Sequence, residues 1–392
     1  MLLLNRPPAQ RPSLTARDAE WLGRAGAERA AEFLAIRDPQ PTPLQNCPAF
    51  EAELGISRLS VKDEGKRLGL GSFKALGGSY AVARLVVEDA SRRLGREFAM
   101  SDLQQAEVRA IAQTLTFACA TDGNHGRSVA QGAAAVGARS VIFVHAGVSE
   151  ARIAAIARFG ARIVRCQGTY DDSVAEAAQT SEREGWTVVS DTSWPGYERI
   201  PSLVMQGYTA LLAEALTQMG EHPTHLFIQA GVGGIAAALA GHFAAIGTER
   251  PIVVVVEPDR AACLFETARA GAPVRIAHGE PTVMAMLECY EPSLVAWRIL
   301  QATADAFMTV TDDAAIAMMS RLGRPMGGDP AIVAGESGVA GLAGLAQAAR
   351  DPALRESLRL DASSRVLVVN TEGATDPERY RELTGLDPER VG

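Results

Sequence analysis

Short apolar runs alternate with Ala-rich stretches along the chain from about residue 116 onward. The runs have the length of strands, and the stretches between them have the length and pattern of helices. Strands are predicted at Thr116–Ala120, Ser140–Val144, Arg162–Cys166, Thr187–Ser190, His225–Gln229, Pro251–Val256, Ala306–Val310 and Arg365–Asn370. Helices are predicted at His125–Val136, Glu150–Phe159, Ser173–Glu184 and Gly234–Ala245.

Strands separated by helices indicate βαβ crossovers and a mostly parallel sheet. Continuous apolar runs such as Val253–Val256 are typical of strands that are buried on both faces. We therefore expect an α/β fold with two open, mostly parallel sheets flanked by helices. Such sheets bind ligands beyond the carboxyl ends of their strands.

The residues before this region follow a different pattern. The segment Ser13–Arg37 is predicted to be helical, with Thr15 and Asp18 as a capping box and Pro39 beyond its end. A proline-rich linker then leads to a first β-like run at Ser57–Val61.

The composition argues against several classes of protein. The chain has 392 residues, 47% of them hydrophobic and 21% charged, which is typical of globular proteins. The formal net charge is -8 and no long run of Lys or Arg occurs, so we expect no nucleic-acid partner. We also find no signal peptide and no apolar run of the roughly 20 residues that a membrane helix needs. A cytoplasmic protein without a membrane partner is therefore expected.

The cysteines and histidines predict neither a disulfide framework nor a metal site. There are five cysteines, an odd number, and no C-x-x-C pair. His222 and His225 have a spacing that could suit a metal, but no second group of ligands lies near them in the sequence.

Lys74 is the first candidate for chemistry. It lies among small and apolar residues in the segment Gly71–Gly78. A lysine in such surroundings is expected to be partly desolvated, which favours the free amine that forms Schiff bases. Most lysines are exposed helix residues, so this segment alone still favours an ordinary surface lysine.

The segment Ala120–Gly126 follows a predicted strand and opens a predicted helix. Polar side chains and glycines at such a turn can bind an anion through backbone N–H groups. Taken alone, however, the segment favours an ordinary turn in which Asp122 caps the helix.

The segment Gln229–Ala237 has the same strand, loop and helix order, with glycines that let the backbone approach a phosphate closely. Gly231, Gly233 and Ala236 also match the G-x-G-x-x-A dinucleotide fingerprint, and Glu257 ends the next strand. The loop alone does not separate a nicotinamide enzyme from a pyridoxal phosphate enzyme.

Taken in order, these segments resemble the fold-type II pyridoxal phosphate enzymes, the group of tryptophan synthase β and threonine dehydratase. Within that group the chain is much more similar to the diaminopropionate ammonia-lyases, and the resemblance spans roughly residues 40 to 376. The matching blocks are Val61–Glu64, Ser72–Tyr80, Ala120–Gly126, Tyr170–Asp172, Asp191–Tyr197, Met205–Tyr208, Gln229–Gly233, Val256–Asp259, Gly335–Gly338 and Thr371–Gly373. The resemblance implies a homodimer, with a large cofactor domain (residues 1–85 and 192–392) and a smaller mobile domain (residues 86–191).

The resemblance also implies how the cofactor is bound. Lys74 would carry pyridoxal phosphate in Schiff-base linkage, Asn124 would bind the ring hydroxyl, and Thr371 would face the pyridine nitrogen. Backbone N–H groups would hold the phosphate in a loop made of Gly231, Val232, Gly233 and Gly234.

For the substrate, the resemblance implies a small amino acid whose carboxylate lies in a loop with Thr121 and Asp122, near Tyr170. Asp191 would face the substrate's amino end. The implied reaction is α,β-elimination of 2,3-diaminopropionate to pyruvate and ammonia. Lys74 could take the α-proton of the L-isomer on one face of the planar adduct, and Asp122 that of the D-isomer on the other. The two carboxylates would favour a substrate with a second amine.

Some positions depart from the family pattern. Met286, Glu288 and Tyr290 stand where the family usually has small residues, which leaves the exact substrate open. Cys263 and Cys289 match positions that can form a disulfide in relatives, and two free thiols are at least as well supported in a cytoplasmic enzyme.

Three other functions stay open from the sequence. One is a dehydratase or lyase for serine, threonine or a hydroxyaspartate. A nicotinamide dehydrogenase is another, but it leaves Lys74 and the Asp122 loop unexplained. The third is a non-catalytic amino-acid sensor, which the intact Lys74 disfavours.

Overall fold

The computed structural model describes residues 1–121, 123–247 and 249–391, and they form two compact units. Unit 1 consists of Met1–Ala25, Pro41–Phe73 and Leu211–Gly392, and unit 2 of Gly26–Gln40 and Lys74–Ala210. Residues 86–191, which were expected to form a mobile domain, fall within unit 2, and their motion stays a prediction.

Strands and helices both occur throughout the described residues. The strands are β1 (Leu2–Leu4), β2 (Leu44–Asn46), β3 (Arg58–Asp63), β4 (Thr116–Ala120), β5 (Arg139–Val144), β6 (Arg162–Arg165), β7 (Thr187–Val188), β8 (His225–Gln229), β9 (Ile252–Pro258), β10 (Ala306–Val310) and β11 (Arg365–Asn370). The helices are α1 (Ala16–Leu22), α2 (Arg24–Arg37), α3 (Pro48–Leu54), α4 (Lys74–Leu94), α5 (Ala106–Ala112), α6 (Asn124–Val136), α7 (Glu150–Ala157), α8 (Tyr170–Glu184), α9 (Arg199–Met219), α10 (Gly234–Ile246), α11 (Cys263–Ala270), α12 (Leu294–Thr303), α13 (Asp312–Gly323), α14 (Ala340–Arg350), α15 (Pro352–Leu358) and α16 (Pro377–Thr384).

Unit 1 is built on a sheet with the strand order β1-β10-β9-β8-β11-β3-β2. The inner strands are parallel, and the edge strands β1 and β2 pair antiparallel with β10 and β3. The side chains of Val253–Val256 in β9 are fully buried, as expected for a central parallel strand covered on both faces.

Unit 2 contains a parallel sheet with the strand order β6-β5-β4-β7. Both sheets are mostly parallel and flanked by helices, so the predicted fold class is confirmed. Four predicted strands, at Thr116–Ala120, His225–Gln229, Ala306–Val310 and Arg365–Asn370, have the predicted bounds.

The N-terminal helix prediction was wrong in one respect, because Ser13–Arg37 is not one helix. Thr15 caps α1 by accepting from the N–H of Asp18, as predicted. Gly23 then separates α1 from α2. A side chain at Gly23 would come within 2.6 Å of the Ala19 carbonyl oxygen, so the bend depends on glycine.

A buried ion network anchors the segment that leads to Lys74. Arg67 Nε lies 2.8 Å from Glu64 Oε2, and Arg67 Nη2 lies 2.6 Å from Glu214 Oε2. The same Glu214 oxygen lies 2.7 Å from Lys62 Nζ. Because these charges are paired and hydrogen-bonded, they can remain buried, and they fix the turn that follows β3.

The next residues of unit 1 form a short ribbon with the end of β11. The N–H of Phe73 donates to the Thr371 carbonyl at 2.9 Å, and the N–H of Gly373 donates to the Gly71 carbonyl at 3.0 Å. Thr371 therefore fixes the residue that precedes Lys74 in the chain.

In unit 2, helix α4 packs against α9 through glycines. A Cβ at Gly77 would lie 2.5 Å from Cε1 of Tyr208, and a Cβ at Gly207 would lie 2.6 Å from the Leu76 carbonyl oxygen. The absence of side chains lets the two backbones approach and places the Tyr208 ring one turn away from Lys74. This crossing fixes the first turn of α4.

Candidate active site

Lys74 is the first residue of α4, and its side chain is 22% exposed. Its Nζ donates a hydrogen bond to Oδ2 of Asp191, whose side chain is 17% exposed. The two candidate residues are 117 positions apart in the chain and in direct contact within unit 2. The structure therefore joins an amine suited to Schiff-base chemistry with a carboxylate.

His125 is a second nitrogen base beside Asp191. Its Nε2 lies 2.9 Å from the Val189 carbonyl oxygen, and since a carbonyl only accepts, Nε2 carries a hydrogen. Its Nδ1 lies 4.0 Å from Asp191 Oδ2. Burial alone would raise the pKa of Asp191, but the nearby Lys74 and His125 charges outweigh it and hold that pKa well below its usual range. Asp191 is thus an anion at neutral pH.

The loop that carries Asp191 is fixed by Tyr197. The Tyr197 hydroxyl donates to the Val188 carbonyl at 2.7 Å and accepts from the N–H of Ser190 at 3.1 Å. The ring of Tyr197 stacks on Trp194 with centroids 4.1 Å apart. The two hydrogen bonds hold the backbone at Val188 and Ser190, between the end of β7 and Asp191.

Three predicted site residues lie between the end of β4 and the first residue of α6. Asp122 lies outside the described residues, so its position is not given. Asn124 is the first residue of α6 and is buried. Thr121 is also buried, and its hydroxyl oxygen accepts from the N–H groups of Gly123 and Gly126 at 3.1 and 3.2 Å.

Thr121 makes further hydrogen bonds within unit 2. Its backbone N–H donates to the Phe143 carbonyl at 3.1 Å. Thr121 therefore stabilises the start of α6. Within the described residues, the hydrogen of its hydroxyl group can still donate to a ligand. Gly126 is required here, because a Cβ would lie 2.1 Å from Thr121 Cγ2.

Tyr170 is the first residue of α8 and is 41% exposed. Its ring meets His145 edge to face, with centroids 6.4 Å apart. The helix begins at Tyr170 because Thr169 and Asp172 form a capping box before it.

In unit 1, the glycine loop lies between β8 and α10, as predicted. Gly233 caps α10 with φ +101, a left-handed conformation that favours glycine, and Gly234 is the first helical residue. A Cβ at Gly231 would lie 2.9 Å from Cys289 Sγ and 3.4 Å from the Met286 carbonyl oxygen. The loop thus presents backbone rather than side chains at the N-terminus of a helix.

Thr371 follows β11 and is buried. Its hydroxyl oxygen accepts from Nε2 of Gln229 at 2.7 Å. Gln229 is the last residue of β8, next to the glycine loop. The sequence motif contained Gln229, but sequence reasoning gave it no role.

The segment around Met286, Glu288 and Tyr290 lies in unit 1 beside the glycine loop. The Tyr290 hydroxyl donates to Glu288, and burial, together with this bond, raises the pKa of Tyr290 to about 12. The thiol of Cys289 lies against Gly231, and that of Cys263 lies 3.7 Å from the Gly231 carbonyl oxygen. Neither cysteine forms a disulfide bond within the described residues.

Comparisons with known proteins identify the family. A family model described as pyridoxal-phosphate dependent enzyme matches residues 37–372. The chain belongs to this family. Its predicted membership and its predicted cofactor, pyridoxal phosphate, are therefore confirmed.

Individual relatives within the pyridoxal-phosphate dependent enzyme family are also similar to the chain. Diaminopropionate ammonia-lyase of Escherichia coli strain K12 is 39% identical over 351 residues, which are 88% of this chain and 87% of the relative. The crystal structure of the Escherichia coli enzyme with an aminoacrylate-PLP azomethine reaction intermediate has a TM-score of 0.86, with 35% identity over 98% of this chain and 96% of that one. Its complex with D-serine also has a TM-score of 0.86, with 34% identity over 100% and 98% of the two chains.

The residues present fit the family's cofactor. A phosphate suits the glycine loop, because a helix N-terminus offers free N–H groups and a partial positive charge and because side chains at Gly231 or Gly233 would fill the loop. A Schiff base suits Lys74, whose side chain is partly buried and therefore partly desolvated. A pyridine nitrogen suits the Thr371 hydroxyl, whose oxygen already accepts a bond and whose hydrogen is available.

Two further features concern other kinds of site. Among the described residues, no group of His, Cys, Asp and Glu is arranged to hold a metal ion. None of the helices in this part of the chain combines the length and the apolar character that crossing a membrane requires. His225 lies in β8, as predicted, and its buried ring has Nε2 2.9 Å from the Leu358 carbonyl oxygen.

Proposed function

We propose that the chain is a pyridoxal phosphate-dependent ammonia-lyase that eliminates the β-amine of 2,3-diaminopropionate and, after hydrolysis of the product, forms pyruvate and two molecules of ammonia. The observation that carries the proposal is the contact between Lys74 and the Asp191 carboxylate in unit 2. The relative that is 39% identical over most of the chain is named diaminopropionate ammonia-lyase, which supports the same activity.

The charge of Asp191 argues for a substrate with a second amine. The Asp191 carboxylate has Lys74 and His125 as its cationic neighbours. While Lys74 is in Schiff-base linkage, and while it is a neutral amine ready to take the α-proton, its nitrogen offers Asp191 no free ammonium. The β-ammonium of diaminopropionate can replace that partner, whereas the hydroxyl of serine cannot.

The same ion pair assists the departure of the β-amine. A carboxylate partner stabilises the ammonium form, and an ammonium leaves as neutral ammonia without a separate acid. Bound pyridoxal phosphate withdraws electrons from the α-carbon of the substrate, so that the α-proton can be removed.

Two bases on opposite faces would allow both isomers to react. We assign the α-proton of the L-isomer to Lys74 and that of the D-isomer to Asp122, which lies outside the described residues. The complex of the Escherichia coli enzyme with D-serine supports a site that accepts D-amino acids.

The remaining site residues are assigned to binding. Asn124 would bind the ring hydroxyl, Thr371 the pyridine nitrogen, and Gly231–Gly234 the phosphate. Thr121 and Tyr170 would contact the substrate. Thr121 is limited to its hydroxyl hydrogen, because its N–H and its hydroxyl oxygen are already bonded within unit 2.

We also infer that the enzyme works in the cytoplasm as a homodimer. None of the five cysteines forms a disulfide bond within the described residues, which suits a reducing compartment. Light scattering of the purified protein tests the dimer, since the monomer mass is 41.4 kDa.

The decisive experiment is turnover of D- and L-diaminopropionate and of L-serine by the purified, cofactor-loaded protein, with the keto acid measured. We expect both diaminopropionate isomers to react faster than L-serine. Equal rates with L-serine and diaminopropionate would contradict the assigned substrate. Lys74→Ala should abolish the reactions of both diaminopropionate isomers. Asp122→Asn should reduce the reaction of the D-isomer far more than that of the L-isomer.

A further inference from the structure

The buried amide of Gln229 has three oxygen neighbours in unit 1. Its Nε2 lies 2.8 Å from the Gly338 carbonyl oxygen, 2.9 Å from the Val369 carbonyl oxygen and 2.7 Å from Thr371 Oγ1. Carbonyl oxygens only accept hydrogen bonds, so the amide nitrogen must face them as a donor. The orientation of the amide is therefore decided by the two carbonyls and not by Thr371.

The direction of the Gln229–Thr371 bond follows from this orientation. An amide NH₂ group has no capacity to accept, and its two hydrogens are shared among the three oxygens, so the Thr371 oxygen accepts and its own hydrogen points elsewhere. Within the described residues, that hydrogen has no protein acceptor. A hydroxyl whose oxygen already accepts a bond is also a stronger donor, because linked hydrogen bonds polarise one another.

Glycines make the space in which the Gln229 amide lies. A Cβ at Gly341 would lie 2.8 Å from Gln229 Oε1. A Cβ at Gly338, whose carbonyl accepts from Gln229, would lie 2.5 Å from Asn370 Oδ1. Gln229 is 1% exposed and has little room to turn.

We propose that Gln229 is a positioning residue that fixes Thr371 as a hydrogen-bond donor toward the pyridine nitrogen and thereby keeps that nitrogen unprotonated. The proposal rests on the proposed function, in which Thr371 faces the nitrogen. An unprotonated nitrogen accepts from the hydroxyl. A protonated nitrogen would instead have to donate to an oxygen that already accepts from Gln229, and the buried hydroxyl hydrogen would then have no acceptor.

The chemical consequence fits an elimination. An unprotonated pyridine ring withdraws fewer electrons from the α-carbon than a protonated ring. The ring therefore stabilises the negative charge at the α-carbon less well. Prompt loss of the β-amine is then favoured over transamination, which requires that charge to persist on the ring. Gln229 would thus influence which reaction follows removal of the α-proton.

The test uses the intact protein loaded with pyridoxal phosphate that carries an NMR-active nitrogen label in its ring. The ring-nitrogen resonance is followed across the neutral pH range for the wild type, Gln229→Met and Gln229→Asn. Methionine removes the donor. Asparagine keeps an amide for the carbonyls but is too short to reach Thr371 as well. Thr303→Val is the matched control, because it removes a buried hydroxyl that bonds only within α12, to the Ile299 carbonyl at 2.7 Å.

We expect the wild-type and Thr303→Val resonances to stay at the unprotonated position throughout. Both Gln229 variants should titrate toward the protonated position, with cofactor affinity weakened about tenfold or less. A protonated wild-type nitrogen, or Gln229 variants whose resonances coincide with wild type, would overturn the proposal. These outcomes need only bound cofactor, so they are separate from a failure of the proposed lyase activity, which the turnover assay reports.

Discussion

The carboxylate of Asp191 shows what the sequence could and could not predict about a single residue. Asp191 and Lys74 were each assigned a role from the family resemblance, but a sequence does not show that they touch across 117 positions. His125 and Gln229 lie inside recognised motifs and received no role, because a motif does not show which way a side chain points. In the same way, nothing in the sequence showed that the oxygen of Thr121 is used by Gly123 and Gly126.

Removing the negative charge of Asp191 tests its assigned role as the partner of the substrate's β-ammonium. In Asp191→Asn the site keeps its shape but loses the anion, so the β-ammonium of diaminopropionate loses its partner. We expect kcat/KM for diaminopropionate to fall by about 10- to 100-fold, the value of one charged hydrogen bond, and that for L-serine to fall less. Asp351→Asn is the control, since asparagine replaces an aspartate helix cap well. Equal losses for the two substrates would show that Asp191 has no preference for the second amine.

Glu257 gives a pH-dependent prediction in unit 1. Its side chain is fully buried and accepts from the N–H groups of Leu264 and Phe265 at 2.8 and 2.7 Å. Burial raises its pKa from 4.5 to about 8, although these two bonds act in the opposite direction. Between these pH values the folded protein holds a proton that the unfolded chain has lost, so this group makes the free energy of unfolding fall as pH rises.

Glu257→Gln removes that titration while keeping the size of the side chain. Glutamine has one side-chain oxygen, so one of the two backbone N–H groups loses its acceptor. We therefore expect the free energy of unfolding at acidic pH to fall by about 1 kcal/mol. The decline with rising pH across the window from 4.5 to about 8 should be shallower than in the wild type. Urea unfolding at a series of pH values measures it, and parallel profiles would show that Glu257 does not titrate there.

At the scale of elements, the parallel strands and the helices between them were predicted well, because continuous apolar runs and Ala-rich stretches mark them clearly. The failures have local causes. The break at Gly23 depends on a clash with the Ala19 carbonyl, which no periodicity reveals. Strand β1 is only three residues long and is stabilised by its pairing with β10. Such short edge strands depend on partners distant in the chain.

The crossing of α4 and α9 carries a prediction about the helix that begins with Lys74. Alanine normally stabilises a helix interior by about 1 kcal/mol relative to glycine. At Gly77, however, the added methyl group would meet the Tyr208 ring at 2.5 Å, and overpacking typically costs about 1–3 kcal/mol. We therefore expect Gly77→Ala to lower the free energy of unfolding and to weaken cofactor attachment at Lys74, measured by urea unfolding and visible absorbance.

Gly279→Ala is the matched control for that variant. Nothing lies within 4 Å of a Cβ at Gly279, so a change of less than about 0.5 kcal/mol is expected. A gain of stability in Gly77→Ala would mean that the two helices separate easily and that the crossing does not fix Lys74.

At the scale of the whole molecule, the fold class followed from the alternation of strands and helices, but the assignment of strands to sheets did not. Strand β3 lies early in the chain and pairs with β11 near its end. Likewise, residues 26–40 belong to unit 2 although both flanking segments belong to unit 1. Local patterns predict elements, whereas the choice of partner depends on packing that only the folded chain shows.

The stability of the whole chain should depend on the cofactor and on its phosphate. A ligand that binds only the folded state at a hundredfold excess over its Kd raises the free energy of unfolding by about 2.7 kcal/mol. We expect pyridoxal phosphate to stabilise the protein by about this amount, measured by urea unfolding. Pyridoxal at the same concentration should do much less, because it offers no anion to the N–H groups of Gly231–Gly234. Lys74→Ala should keep part of the effect of pyridoxal phosphate, since the phosphate still binds while the covalent link is lost. Equal stabilisation by the two compounds would show that the glycine loop does not hold the phosphate.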